Sequence, residues 1–306
     1  MEKQDERQKI SIIEIMSMFP TNEAAEQWFI DNRWATGVSC PCCDSHNVAE
    51  RKTVKRSWRC KDCRKDFSTK TATLMQSSNL GFRVWAITIY LLTINLKGIA
   101  STKLASDLKV TQKTAWHLAM RIRETYNDNK GKLTGVVEVD ETYIGGKEAN
   151  KHAHKKLHAG RGAVGKKAVV GAKERNGKII AYPIDSTDKE TLHGFIQSNV
   201  EEESDLMTDE HRSYKGISGY NHQFVCHSVS EYVNGQAHTN GIESFWALLK
   251  RGYHGIHHHM SHKHLGQYVN EFAGRHNTRK LDTVEQMTSI AKSMIGKQLR
   301  YKDLIA

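Results

Sequence analysis

The chain has 306 residues, with 45 lysines and arginines against 34 aspartates and glutamates, for a formal net charge of +11. That length supports one large core domain with small appendages, and the excess of cations points to a polyanionic partner, most simply nucleic acid. The longest apolar stretch, Val84 to Leu96, carries two threonines and an asparagine and is too short to span a bilayer, which argues against a membrane protein.

The first ten residues, MEKQDERQKI, are charged and lack the apolar run of a signal peptide. Five of the six cysteines fall between Cys40 and Cys63, the pattern of a metal site rather than of a disulfide framework. A cytoplasmic protein is expected. Residues 9 to 33 alternate at helical spacing, with Thr21 or Asn22 placed to cap a helix through Trp28 and Phe29. An N-terminal helical segment is therefore expected over 1–35.

Residues 36–72 read as a zinc ribbon. Cys40-x2-Cys43 and Cys60-x2-Cys63, separated by sixteen residues, supply the four thiolates that a structural Zn2+ requires. Cys40-Pro41-Cys42 offers a rival pair, but the x2 spacing on both sides favours Cys40 and Cys43. Cys226 is expected as a small core hydrophobe. Arg51, Lys52, Lys55, Arg56, Trp58 and Arg59 surround the second knuckle, a rim suited either to solvent or to nucleic acid.

Residues 73–130 are helical in pattern. Within KGIASTKLASDLKVTQKTAWHLAMRIR, Ile99, Leu104 and Leu108 give the first helix an apolar face, Lys109-Val110 forms a turn, and Thr111 caps a second helix. Gln112, Lys113 and Thr114 open that second helix with the short polar and basic side chains of a recognition helix, so a helix-turn-helix-like DNA-binding region is expected. The alternative is an ordinary helical hairpin packed on the core.

The stretch GVVEVDETYIGGK opens the next region, 131–280. Val136, Val137 and Val139 read as a buried strand that nevertheless holds Glu138, Asp140 and Glu141, although a buried carboxylate costs several kcal/mol unless compensated. Alternation puts Glu138 and Asp140 on one face, with Val137, Val139 and Glu141 on the other. A basic loop follows from Lys147 to Lys167, with seven lysines and arginines against one acid. Lys155, Lys156, Arg161, Lys166 and Lys167 in it are placed to meet phosphate. Strand patterns at AVVGAKE, GKIIAYPI, SDLMTD and QFVCHSV alternate with a helix over 187–200, and helices are expected over 239–251 and 262–276. Asp209 ends SDLMTD. Glu243 lies on the first of the two later helices, with Lys250 and Arg251 two turns on. Strand-end acids meeting a helix glutamate form a set of oxygen ligands for hard divalent ions, and two such ions suit in-line displacement at phosphate. Trp246 is read as core rather than as a base-stacking platform. Six histidines in HGIHHHMSHKH suggest backbone contact or packing more than a separate metal. Residues 281–306 read as one closing amphipathic helix.

VEVDETYIGGK, TDEHRSY and HTNGIESFWALLKRGYHGIHHHMSHKHLGQYVNEFAGRHNTR resemble the DDE transposases of bacterial insertion sequences, ISXO-like group, and so do FPTNEAAEQWF, RWATGVSCPCC and WRCKDCRKDFSTKTAT. The resemblance implies an α/β fold, a ribonuclease-H-like catalytic domain (a mixed sheet flanked by helices) behind the ribbon and the helical region. It implies that Asp140, Asp209 and Glu243 hold two Mg2+ or Mn2+ ions, with Asn240 as the alternative third position, and that Lys250 contacts DNA near the cleavage site. It further implies cleavage and strand transfer on double-stranded DNA, at element terminal inverted repeats and target, by a homo-multimer. The rival readings are a catalytically inactive zinc-ribbon regulator and a stand-alone nuclease that cuts without joining.

Overall fold

The structure, a computed structural model, describes residues 8–52, 54, 56–127, 131–146, 148–157, 162–225 and 238–306. The chain divides into two compact units, Met1–Tyr126 with Lys280–Ala306, and Asn127–Arg279.

The first unit begins with α1 (Ile12–Met18) and α2 (Asn22–Arg33). Ser11 and Glu14 close a capping box at the start of α1, and the Thr21 hydroxyl accepts from the Ala24 amide at the start of α2. A three-stranded antiparallel sheet follows, β1 (Val48–Glu50), β2 (Ser57–Cys60) and β3 (Asp66–Ser68). Its small core is aromatic: Trp58 packs against Trp34 at 5.1 Å and against Phe67 at 5.9 Å between ring centroids.

Helix α3 (Phe82–Ile94) is apolar almost all round, and accordingly lies in the middle of the unit with Trp85, Ile89 and Leu92 fully buried. Around it pack α2, α4 (Ser101–Leu108), α5 (Gln112–Arg123) and α9 (Thr283–Ser293). The turn between α4 and α5 has Lys109 in the left-handed region at φ 52°, which ends α4. The Thr111 hydroxyl then accepts from the Thr114 amide and starts α5.

The tail differs from the single helix read in the sequence. It forms α9 and a short α10 (Tyr301–Ile305), separated where Gly296 takes φ +77°. At that break the chain turns to backbone pairing: Leu74 N donates to Met294 O and Gly296 N to Ala72 O. Periodicity alone does not reveal such a break, because both halves keep their apolar faces.

The second unit is built on a five-stranded sheet in the order β6-β5-β4-β7-β8. Here β4 is Val136–Ile144, β5 Lys167–Glu174, β6 Ile179–Ile184, β7 Asp205–Asp209 and β8 Asn221–Val225. The first three strands form an antiparallel meander, and β7 and β8 run parallel to β4. The parallel return requires a crossover, which α6 (Lys189–Asn199) provides. Leu192, Phe195 and Ile196 of α6 bury Val137, Val139 and Leu206 on one face of the sheet. Helices α7 (Asn240–Gly252) and α8 (Leu265–Asn277) pack on β4, β5 and β6. Helix α7 continues into a π-helical turn over Tyr253–His257.

Candidate functional site

The four predicted zinc ligands come together. The Sγ atoms of Cys40, Cys43, Cys60 and Cys63 all lie within 4.8 Å of one another, with Cys40 to Cys63 at 3.5 Å and Cys43 to Cys60 at 3.6 Å. Four zinc–sulfur bonds of about 2.3 Å would set sulfur–sulfur edges of roughly 3.8 Å, so the residues present fit a tetrahedral Zn2+. The knuckle amides point at the sulfurs: Cys42 N donates to Cys40 Sγ at 3.4 Å and Cys63 N to Cys60 Sγ at 3.5 Å. The Cys63 amide, with help from that of Asp62, lowers the Cys60 thiol to about 7, favouring the thiolate that zinc binds. Cys42 is exposed and outside the set; the Lys65 ammonium donates to its sulfur at 2.9 Å. Cys226 lies outside the described residues.

The acids occupy the second unit. Parallel pairing of β4 with β7 matches Val136 to Asp205 and Glu138 to Met207, and the same offset carried two residues on sets Asp140 beside Asp209. The pairing stops before that point, leaving both half-buried carboxylates where the strands part. Ligand sites of open α/β sheets form at strand ends of this kind. Burial, then the charges of Glu141 and Asp209, raise the Asp140 carboxyl to about 7. Glu141 is raised as well, by burial first, although the Tyr214 hydroxyl donates to it at 2.6 Å. Asp209 accepts from the His211 amide at 3.0 Å. Asp140 and Asp209 thus set carboxylate oxygens side by side, the chemistry a hard divalent cation takes, while alternation turns Glu141 to the opposite face of β4.

Helix α7 is fastened over the Asp140 face of β4 by two contacts that span the fold. Glu138 is 1% exposed, and its carboxylate accepts from the Ile242 amide at 2.9 Å. Arg175 Nε stands 3.7 Å from it and His238 Nδ1 3.4 Å. The buried acid is compensated by a helix start and the Arg175 guanidinium, a role that strand alternation does not reveal. One turn past Glu243, the Trp246 indole N–H donates to Asp140 Oδ2 at 3.0 Å. Two glycines admit these contacts. A Cβ on Gly171, the β5 partner of Asp140, would stand 2.7 Å from the Trp246 ring, and one on Gly241 would stand 2.6 Å from Glu138. A glycine inside a strand often marks such a close approach, so GAKE holds a usable signal. Trp246 is core, as expected, and also a hydrogen-bond donor to Asp140.

Glu243 lies on the exposed side of α7 and accepts from the Thr239 hydroxyl at 2.9 Å, and Asn240 is exposed in the first turn. Lys250 and Arg251 are exposed in the last turn, with Arg251 Nε donating to Ala247 O at 3.1 Å. Among the described residues only the four cysteines are gathered as a set of three or more ligands ready for an ion; Asp140, Asp209 and Glu243 are not drawn into such a set. The six histidines of 254–264 likewise make no ion-holding group there.

Gln112 and Lys113 are exposed at the start of α5. Gln112 donates to the Ser101 hydroxyl at 2.8 Å, and the Lys113 ammonium sits 4.4 Å above the Tyr301 ring. In the basic loop, Lys155 ends a one-turn helix over Ala153–Lys155, and Lys156 and Lys166 are half-buried. Lys167 pairs with Asp185, which occupies it within the protein. Lys55, Lys147 and Arg161 lie outside the described residues.

Strand order 3-2-1-4-5 within the second unit, counted from β4, is the arrangement of ribonuclease-H-like domains. This topology with a zinc ribbon ahead of it is the architecture expected of a DDE-type transposase. Residues 132–277 match the ISXO2-like transposase domain and residues 20–66 the transposase zinc-ribbon domain, more than half of the chain between them. The chain belongs to this group of insertion-sequence transposases. It is 24% identical over 291 residues to an uncharacterized protein in transposable element ISH50 of Halobacterium salinarum, a match covering 90% of this chain and 98% of that one. No helix among the described residues is long and apolar enough to cross a membrane.

Proposed function

We propose that the protein cuts DNA at the ends of an insertion sequence and joins the released 3′ ends to target DNA. The observation that carries this reading is the pair Asp140 and Asp209, side by side where β4 and β7 part, with Asp140 raised to about 7 by burial and by its acidic neighbours. Perturbed carboxylates gathered at one place mark functional sites more often than structural ones. Asp140 and Asp209 would hold divalent ions from the sheet, and Glu243 would complete the set from α7, with Asn240 as the rival third position. Bound Mg2+ or Mn2+ would activate a water or a 3′-hydroxyl and offset charge on the leaving oxygen.

The chain's own residues do the rest. Trp246 holds one oxygen of Asp140. Glu138 fixes the first turn of α7 and so the position from which Glu243 approaches. Lys250 and Arg251, exposed two turns beyond Glu243, meet phosphates of the DNA, as do Lys156 and Lys166 of the basic loop. Gln112 and Lys113 of α5 and the ribbon's basic rim bind the terminal inverted repeats, and two copies or more are needed to bring two ends together. The reaction takes place in the cytoplasm.

The test is cleavage of oligonucleotides bearing candidate element ends with Mg2+, comparing wild type with Asp140→Asn, Glu243→Gln and Asn240→Ala. Cleavage is expected to fall at least ~100-fold in the first two, the scale of losing a transition-state charge contact, and to survive in the third. Unchanged cleavage in Asp140→Asn sinks the assignment, and loss only in Asn240→Ala moves the third ligand to Asn240.

A further inference from the structure

The first unit carries a cleft of about 350 Å³ beside α5, lined by residues 77–80, Trp85, Lys113, His117, Arg121 and Tyr301. Its size is that of a small-ligand site. None of its lining residues is acidic.

Arg121 makes the cleft unusual. It is 7% exposed, and its Nε donates to the carbonyl of Leu299 at 3.0 Å. Among the described residues no carboxylate pairs with it, and burial alone acts on its charge. A buried guanidinium is rare without an anion, because desolvation costs several kcal/mol that only a counter-charge offsets. Two further buried polar atoms of the lining, Trp85 Nε1 and His117 Nε2, have no hydrogen-bond partner among the described residues. Trp85 is 0% exposed, so water does not satisfy its N–H from bulk. Lys113 adds a second cation at the rim, stacked on Tyr301 at 4.4 Å. A guanidinium with no counter-charge, a rim lysine and the polar segment 77–79 together make a donor-rich, cationic cavity.

We propose that this cleft binds a phosphate group, supplied either by the backbone of DNA lying along α5 or by a free nucleotide. The guanidinium gives two parallel N–H donors to phosphate oxygens, and the Tyr301 ring offers a face for a base. The backbone source rests on the DNA-binding reading of α5; the nucleotide source does not.

The experiment uses the full-length, zinc-loaded protein without magnesium. Binding of a fluorescent double-stranded oligonucleotide is followed across a salt series for wild type and Arg121→Met. Thermal shifts with adenosine monophosphate and with inorganic phosphate are read alongside. Arg121→Met keeps the chain length and removes a buried charge, so its own melting temperature is expected to hold or rise.

If DNA supplies the phosphate, Arg121→Met loses about tenfold in affinity and its salt slope falls by about one, the signature of one lost phosphate contact. If a nucleotide is the ligand, adenosine monophosphate raises the melting temperature of wild type and not of Arg121→Met. Wild-type affinity and salt slope in Arg121→Met, with no nucleotide or phosphate shift in wild type, overturn the proposal while leaving DNA binding elsewhere intact. If wild type binds no DNA, the DNA-binding reading fails by itself, and the nucleotide and phosphate shifts decide this inference.

Discussion

Asp140→Asn should make the magnesium-free protein more stable, and by an amount that depends on pH. The wild-type carboxyl is raised from 3.8 to about 7 in the folded state. At roughly 1.4 kcal/mol per unit this amounts to about 4 kcal/mol of cost for the charged form. Asp140 is half-buried, and solvent screening reduces that to about 2 kcal/mol. The direction follows from linkage. Below pH 4 the group is protonated folded and unfolded, and costs nothing. Between about 4 and 7 the unfolded chain gives up its proton while the folded protein keeps it, so stability falls as pH rises. Above 7 the full cost is present. Asparagine carries no charge and retains an oxygen for the Trp246 N–H, so it removes the cost without orphaning the indole. Urea denaturation should therefore show Asp140→Asn ahead of wild type by about 2 kcal/mol at pH 8, and by under about 1 kcal/mol at pH 5. Millimolar Mg2+ should close the gap at pH 8 by stabilising wild type alone. A variant less stable than wild type at pH 8, or an equal gain at both pH values, refutes the reasoning.

Trp246→Phe removes the donor to Asp140 and keeps the packing. Loss of a hydrogen bond to a carboxylate is worth about 1.5–3 kcal/mol, and Mn2+ binding followed by electron paramagnetic resonance should weaken about tenfold. Gly171→Ala forces a methyl into the indole, where the gap is 2.7 Å, and should destabilise by about 1–3 kcal/mol in thermal melts. The double variant Gly171→Ala/Trp246→Phe, lacking the clashing ring atoms, should recover most of that loss, a coupling measurable as a double-mutant cycle. Cys60→Ser should abolish the one bound zinc and unfold the ribbon, whereas Cys42→Ser should leave zinc content unchanged by atomic absorption.

The parts of the molecule legible in its sequence are those where chemistry demands local spacing. Zinc needs two knuckles at x2, so Cys40, Cys43, Cys60 and Cys63 stand out by spacing alone, and the fold gathers the same four. The meander and crossover of the sheet show as short β-branched runs around one helix. Asp140 and Asp209 are visible as acids where a buried strand should have none. The remainder depends on contacts between distant elements. Glu138 meets the amide of Ile242 across 104 positions, and Trp246 meets Asp140 across 106. Alternation says that Glu138 and Asp140 share a face, and it does not say that one clamps a helix while the other faces the acids. Only the seating of α7 on β4 and β5 separates those roles. The break at Gly296 is hidden for a related reason, since its cause is pairing with Ala72 and Leu74 far back in the chain.

The central claim is that Asp140, Asp209 and Glu243 serve one reaction on DNA. Its most direct measurement is strand transfer: a labelled element end bearing a free 3′-hydroxyl is incubated with supercoiled target plasmid and Mg2+, and joined product is counted. Wild type is expected to join. Asp209→Asn and Glu243→Gln are expected to bind the labelled end with wild-type affinity and to yield no joined product. Joining at the wild-type level by either variant would contradict the account.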